Sequence, residues 1–432
     1  MFLKYFIIFS KIWLFLELIN WIYHLIIYIN IISPKFMKFK EIDTIKIIKK
    51  FNKLKKDEII HIIKGCIVYD KITHTNIDIS ELNIENLSKT EMINLIGYSL
   101  FGLDQDQIYS NKKYPMILKL IGEIESKLEL KFSLVNINRY LYRKWGSNFI
   151  KFSFRPVFLQ IPVKIFVKSI HILFTVFLGF KWEQINKIGF LSKNIDPNKK
   201  NLIFIHGLGF GYVPYFQMLM ELNSKYNLII VVLPNISSYN YYDDINYVYF
   251  PPLTLVSDTL YNFLESKKIN QIILLSHSFG TYITQFLRKD PRQIIFSKII
   301  LVDPIIFWIG CFKMSLHVEN PFIKKYPITM YLIDNLINFL IYQCLYLKYV
   351  CYRVMFGPDF LIYDADELSK QKNIIIILQK NDYVIPAELI YDKIKNHVKC
   401  YYFDSDEYYH GTILMEKKHT QKLIEIIETE YE

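Results

Sequence analysis

QIILLSHSFGTYITQFL, residues 271–287, is the stretch on which the reading of the fold turns. Its first half is a continuous apolar run of strand length and its second half has helical spacing; between them stand Ser276-His277-Ser278-Phe279-Gly280. A strand that turns directly into a helix leaves little room at the corner. Small residues two before and two after Ser278 are what so sharp a turn requires, because bulk at either position would meet the adjoining strand or helix. Ser276 and Gly280 satisfy that demand. Two readings stand at this point: a serine held on a strained turn as a nucleophile, or an ordinary strand-to-helix turn in which the serine caps the helix.

Outward from this corner, the chain from about residue 182 to its end alternates short β-rich runs with helical segments. The runs are NLIFIH (201–206), NLIIVVLP (227–234), QIILLS (271–276), KIILVD (298–303), NIIIIL (373–378) and KCYYFD (399–404). Continuous apolar runs of this length suit strands covered on both faces, and their alternation with helices predicts βαβ units around a mostly parallel sheet. The expected fold class is α/β.

The segment 276–280 resembles the nucleophile elbow G-x-S-x-G of the α/β-hydrolases, with Ser276 in place of the first glycine. The resemblance extends over residues 185 to 432 and implies an α/β-hydrolase fold with a helical cap. Three further motifs carry it. IFIHGLGFGYVPYF places His206-Gly207-Leu208-Gly209 directly after a strand, where the family has its oxyanion loop. The implied oxyanion donors are the backbone N–H groups of Leu208 and Phe279, with Gly207, Gly209 and Gly280 as motif glycines and His206 as a structural brace. A dinucleotide-binding reading of the same glycines does not complete G-x-G-x-x-G. IIIILQKNDYVIP supplies Asp382 as the acid, and Asp303 in IILVDP is the alternative acid. CYYFDSDEYYHGTIL supplies His410, followed by Gly411 and a C-terminal helix on whose surface His419 is expected.

The chain order Ser278, Asp382, His410 implies an esterase or lipase-like serine hydrolase. Ser278 attacks an acyl carbonyl, His410 carries the proton, Asp382 orients the imidazole, and water hydrolyses the acyl-enzyme with no cofactor and no metal. The expected substrate is a small-molecule or lipid acyl ester. A thioesterase or acyltransferase would use the same residues; a non-enzymatic hydrolase-fold membrane protein would not need them intact. Residues 304–372 form the expected cap, with Phe307, Trp308, Phe339, Tyr342 and Tyr346 either lining an acyl pocket or packing the cap itself.

Three units are expected: a membrane anchor at 1–34, a basic linker and helical pre-domain at 35–181, and the hydrolase domain at 182–432. IWLFLELINWIYHLIIYINII, residues 12–32, is long enough to cross a hydrocarbon core as a helix, although Glu17, Asn20, His24 and Asn30 are costly there unless partnered; an interfacial helix is the alternative. In residues 157–180, Pro162, Lys164, Lys168 and His171 fall on one helical face, which predicts an amphipathic, membrane-lying or cap-packed helix. The formal charge of +11 is concentrated after the first apolar run, in Lys35, Lys38, Lys40, Lys46, Lys49, Lys50, Lys53, Lys55 and Lys56. No nucleic-acid-binding signature accompanies these lysines, so they suggest a membrane surface or a solvated basic linker with no partner, and, if the first helix spans, a cytosolic catalytic domain. Sequons at Asn86 and Asn235 would matter only in a lumenal domain. The five cysteines are scattered, with no pair at metal-ligand spacing, and imply no disulfide framework. The layout is similar to that of eukaryotic hydrolase-like proteins with an apolar N-terminus.

Overall fold

The computed structural model of the chain describes residues 2–32, 52–70, 75–76, 82–101, 103, 105–135, 139–142, 154–234, 236, 250–288, 290, 292, 295–307, 344, 345, 347, 350, 366–369 and 373–429. The main sheet has eight strands: β1 (Lys181–Ile185), β2 (Ile188–Ser192), β3 (Asn201–Ile205), β4 (Asn227–Val232), β5 (Gln271–His277), β6 (Ile295–Val302), β7 (Ile374–Gln379) and β8 (Lys399–Phe403). Their spatial order is β1-β2-β4-β3-β5-β6-β7-β8. Strands β3 to β8 run parallel, whereas β1 pairs antiparallel with β2 and β2 antiparallel with β4. This mostly parallel sheet, with its antiparallel first hairpin, one strand exchange and flanking helices, is the α/β-hydrolase fold, the class expected from the sequence.

The six apolar runs became the six parallel strands, five of them covered on both faces and the sixth, β8, a half-buried edge strand. Ile203 and Ile205 of β3 enter one core while Leu202 and Phe204 enter the other, and Ile272/Leu274 and Ile273/Leu275 of β5 divide in the same way. Ahead of the sheet lie α1 (Phe2–Ile32) and α2 (Val157–Ile172); within it come α3 (Phe216–Lys225), α4 (Leu253–Ser266), α5 (Phe279–Arg288), α6 (Ala387–Ile394) and α7 (Lys417–Glu428). Helices α4, α5 and α6 cover one face, and α3 and α7 the other. The antiparallel hairpin β1–β2 was not anticipated. Its edge strand β1 is half-exposed, so KWEQI lacks the continuous apolar character that marks a strand with two covered faces.

Residues 54–140 form a separate hydrophobic core. Its helices, Lys56–Gly65, Lys89–Phe101 and Tyr114–Leu128, match the helical expectation. The second starts at a capping box: Ser88 N–H donates to Glu91 Oε2 at 2.8 Å, and Glu91 N–H donates to Ser88 Oγ at 3.1 Å. A small antiparallel sheet of Ile67–Asp70, Thr75–Asn76 and Tyr140–Tyr142 was missed, since strands this short leave no periodic signal. A buried ion pair, Lys393 Nζ to Glu58 Oε1 at 2.6 Å, joins this unit to α6. Asn86 is exposed at the end of a 3₁₀ turn, whereas Asn235 lies outside the described residues.

Ile8–Ile29 within α1 and Val157–Phe177, which is α2 continued by a π-turn at Leu173–Phe177, are each long and apolar enough to cross a membrane. The lysines from Lys35 to Lys50 and, of the cap, Trp308, Phe339, Tyr342 and Tyr346 lie outside the described residues. Phe307 is buried in the core beside α5 rather than open to a pocket. Cys66 and Cys344 are buried and Cys400 half-buried, all three as free thiols.

Candidate active site

The corner between β5 and α5 has the strained geometry its sequence called for. Ser278 sits at φ 50°, a left-handed conformation that costs a residue with a Cβ and persists only where the surroundings impose it. Its N–H donates to Val302 O at 3.0 Å, and Thr281 Oγ1 donates to Ser278 O at 2.6 Å, so β6 and the first turn of α5 hold the corner. Gly280 is where the chain comes closest to β3: a Cβ there would lie 2.3 Å from Ile205 O, a backbone atom with no freedom to retreat. Ser276, standing where the motif has glycine, is fully buried in β5 and fits.

The three side chains named from chain order meet at this corner. His410 Nε2 lies 2.9 Å from Ser278 Oγ, and His410 Nδ1 lies 2.7 Å from Asp382 Oδ2. Asp382 Oδ1 accepts the N–H groups of Val384 at 2.7 Å and Ile385 at 2.9 Å, which fix the carboxylate within its own Pro-containing turn. With both ring nitrogens so engaged, one tautomer serves: Nδ1 donates to Asp382 and Nε2 is left to accept from Ser278.

Asp303, the alternative acid, lies in the same place without making the same contact. It ends β6 at φ 44°, fully buried, and its Oδ2 is 4.0 Å from His410 Nδ1, too far for a hydrogen bond. That oxygen instead accepts the Gly411 N–H at 2.7 Å and the Gln379 side-chain amide, while Gln379 Oε1 accepts from Ile413 N–H at 2.9 Å. Asp303 and Gln379 thus grip the turn that follows His410. Gly411 holds that turn at φ 80°, and a Cβ there would press on the His277 ring at 3.0 Å. Burial first, and the neighbouring Asp382 charge second, push the Asp303 carboxyl up to about 8. The shift favours its protonated form, and the two acids of the site differ in partner.

The loop after β3 is fastened from below. His206 is fully buried; its Nδ1 lies 2.8 Å from Gly207 O and its Nε2 accepts the Leu233 N–H at 3.4 Å. Burial lowers its pKa to about 4, so it is a neutral brace. Tyr215, not singled out from the sequence, accepts the Gly207 N–H at 3.4 Å and bonds His277 Nδ1 at 2.8 Å through its hydroxyl, tying the loop to the residue before Ser278. Burial holds His277 far below the usual imidazole range. Among the described residues no backbone carbonyl takes the N–H of Leu208 or of Phe279. The signal for Tyr215 and Gln379 was weak in the sequence: each is a polar group inside an apolar run whose partner lies far along the chain.

His419, expected on a helix surface, is buried; its ring packs on Tyr408 with centroids 4.4 Å apart. Helix α7 turns that face inward because Leu423, Ile424 and Ile427 pack against the sheet, and His419 follows at helical spacing. Among the described residues His277, Asp303 and His410 form a cluster of potential metal ligands. The nitrogen His410 would offer is already bonded to Asp382, and the Asp303 oxygen already accepts two N–H groups, so the arrangement suits proton transfer better than ligation.

No protein-family model matches the chain, and no curated protein sequence does. Solved structures resemble part of it. A membrane phospholipase A described as a bacterial virulence factor is 13% identical over 63% of this chain and 94% of its own, with a TM-score of 0.44. Naproxen esterase (carboxylesterase NP) from Bacillus subtilis is 10% identical over 61% and 97%, with a TM-score of 0.43. Carboxylesterase CesB (YbfK) from Bacillus subtilis is 8% identical over 62% and 98%, with a TM-score of 0.45.

Proposed function

We propose that this chain, an α/β-hydrolase-fold protein, is a serine hydrolase that cleaves a carboxylic ester through an acyl-enzyme intermediate. The observation that carries the reading is the continuous contact from Ser278 Oγ through His410 to Asp382, at 2.9 and 2.7 Å. As His410 Nε2 takes the hydroxyl proton, Ser278 Oγ attacks the acyl carbonyl; the imidazolium that forms is stabilised by Asp382 and returns the proton to the leaving alkoxide. Water then repeats the sequence on the acyl-enzyme. The N–H groups of Leu208 and Phe279 donate to the developing oxyanion, an interaction that in a nearly closed site is worth more than in water.

Full-length protein incubated with matched esters, thioesters and acyl-acceptor alcohols tests the reaction class. Hydrolysis of the esters is expected. Turnover only in the presence of an alcohol would instead identify an acyltransferase, and preference for thioesters a thioesterase.

A membrane location is proposed alongside, on the strength of α1, α2 and the lysines that follow α1. A spanning helix resists alkaline carbonate because its backbone is satisfied inside lipid, whereas an interfacial helix held partly by charge is stripped. The full-length protein is expected in the carbonate pellet, and deletion of residues 1–34 is expected to shift it substantially to the soluble fraction. Release of the full-length protein by carbonate would make α1 peripheral. A cytosolic catalytic domain is expected from the lysines, and glycosylation at Asn86 or Asn235 would overturn that orientation.

A further inference from the structure

Two of the polar residues that make α1 an awkward lipid-facing helix, Glu17 and Asn20, are turned toward the start of α2. Glu17 accepts the Val157 N–H at the start of α2, at 2.9 and 3.1 Å to its two carboxylate oxygens. Asn20 Nδ2 donates to Arg155 O at 2.9 Å, and Gln160 Nε2 donates to Asn20 Oδ1 at 3.2 Å. A carboxylate at a helix N-terminus satisfies an orphan donor and faces the favourable end of the dipole. The two helices are therefore docked through their polar groups, and their apolar groups are left outside. On α1, Phe9 is 61% and Leu14 68% exposed; on the α2 segment, Ile165 is 61%, Phe166 57% and Phe177 75% exposed.

Helix α2 packs on the loop that follows β3, and α1 reaches it through a shared cluster: Ile27, with Tyr23 and Tyr28, packs with Cys344, Leu345 and Leu347, and Leu208 packs against the same cluster. Val163, Val167 and Ile170 of α2 pack with Phe210 and Val213. His171 Nδ1 lies 3.0 Å from Tyr212 Oη, and Phe174 meets the Tyr212 ring edge-on at 5.2 Å. At the far side of the same loop, Tyr215 connects Gly207 to His277. The loop proposed to receive the oxyanion is thus held between the catalytic corner on one side and two helices with bare apolar faces on the other.

We propose that α1 and α2 form one lipid-embedded element through which an anionic phospholipid bilayer fixes the 208–215 loop, so that membrane binding raises catalysis itself, even on a water-soluble ester. The inference rests on the serine-hydrolase reading. The exposed rings favour leaving water, and in its absence of lipid they gain by shifting the helices and the loop with them. Lys164 and Lys168 on α2, together with the basic run from Lys35 to Lys56, match anionic headgroups. The bilayer therefore has differential affinity for the arrangement in which the loop is held, as any ligand that shifts a conformational equilibrium must.

The test uses full-length protein in mild detergent, diluted into vesicles of phosphatidylcholine and phosphatidylserine at roughly 7:3. The readouts are vesicle flotation, p-nitrophenyl butyrate turnover and the rate of fluorophosphonate labelling. Vesicles are expected to raise kcat about tenfold or more, with KM within about twofold, because a held oxyanion loop acts in the transition state. The variant Ile165→Glu/Phe166→Glu/Phe177→Glu, altered only at exposed positions, is expected to keep basal labelling and, still carried to the vesicles by α1, to lose the stimulation. Val167→Ala with Tyr212→Phe is expected to float like the wild type and lose most of the stimulation. Flotation without any change in kcat would reduce the helices to an anchor and overturn the coupling. A triple variant that vesicles still stimulate, or a wild-type dimer that this variant dissociates, would assign the apolar face of α2 to something other than lipid. Wild-type protein that never labels, with or without vesicles, would sink the hydrolase reading and this inference with it.

Discussion

Ser278→Ala is expected to abolish covalent labelling by a fluorophosphonate and to lower ester turnover by roughly 10⁶-fold, to the level of uncatalysed hydrolysis assisted by binding alone. The alanine removes the attacking oxygen and nothing else. Ser278 is nearly fully buried, and its place in the corner is set by its own N–H to Val302 O and by Thr281 to its carbonyl, contacts that alanine retains. The variant is therefore expected to melt like the wild type, to within about 1 kcal/mol of stability. Labelling that persists in a folded Ser278→Ala protein would move the nucleophile elsewhere and leave the 2.9 Å contact to His410 without a catalytic purpose.

The second large effect separates the two buried acids. In Asp382→Asn, an amide NH₂ facing His410 Nδ1 favours the tautomer with the proton on Nε2, and that nitrogen can no longer accept from Ser278; kcat is expected to fall by about 10⁴-fold. Asp303→Asn is expected to change kcat by no more than about tenfold. Its oxygen can still accept the Gly411 N–H and the Gln379 amide that orient the turn after His410. The signature of Asp303 lies instead in how stability depends on pH. Its carboxyl, ordinarily near 3.8, is pushed up to about 8 in the fold, so the native state keeps a proton that the unfolded chain releases. A group raised in this way contributes stability that is whole below about pH 4 and is lost as pH climbs through 8. The wild-type melting temperature is expected to fall by several degrees more than that of Asp303→Asn between about pH 5 and pH 8. Parallel melting curves for the two proteins across that window, or a larger kcat loss in Asp303→Asn than in Asp382→Asn, would exchange the roles assigned to the two acids.

What could be read from the sequence follows from what a linear pattern records. Five of the six parallel strands were visible because both of their faces are buried, and burial writes itself as an unbroken run rich in Ile, Leu and Val; the edge strand β8, half-buried, showed instead as a short aromatic run. The hairpin β1–β2 was not, because Lys181, Glu183 and Gln184 interrupt a strand with one face near solvent. Ser278, Asp382 and His410 each stand just past a strand and in a fixed order, so three local signals combined; the structure brings them within hydrogen-bond distance. The bonding of Asp303 was illegible for the opposite reason. Its partners, Gln379 and Gly411, come from two other segments of the chain, and only the sheet order, which puts β6 beside β7, brings them together. His419 misled because an imidazole in a charged helical stretch, Lys417-Lys418-His419, looks like surface until the inward face of α7 is known. The docking of Glu17 and Asn20 was hidden too: in the sequence they read as a cost to membrane insertion, and in the fold they meet the N-terminal end of α2.

The ion pair between Glu58 and Lys393 joins residues 335 positions apart, and this has a consequence for the order of events during synthesis. At about 5–20 residues per second, the lysine leaves the ribosome roughly 17–67 s after the glutamate. Through that interval the 54–140 unit carries a carboxylate on a surface whose partner does not yet exist, so the pair cannot help to nucleate anything and closes only once β7 and α6 are in place. Interactions that form this late act on the exit from the native state rather than on the approach to it. Replacing Lys393 with methionine is therefore expected to speed unfolding several-fold and leave the refolding rate nearly unchanged. A slowed refolding limb would mean that the two units find each other early, before the sheet between them is complete.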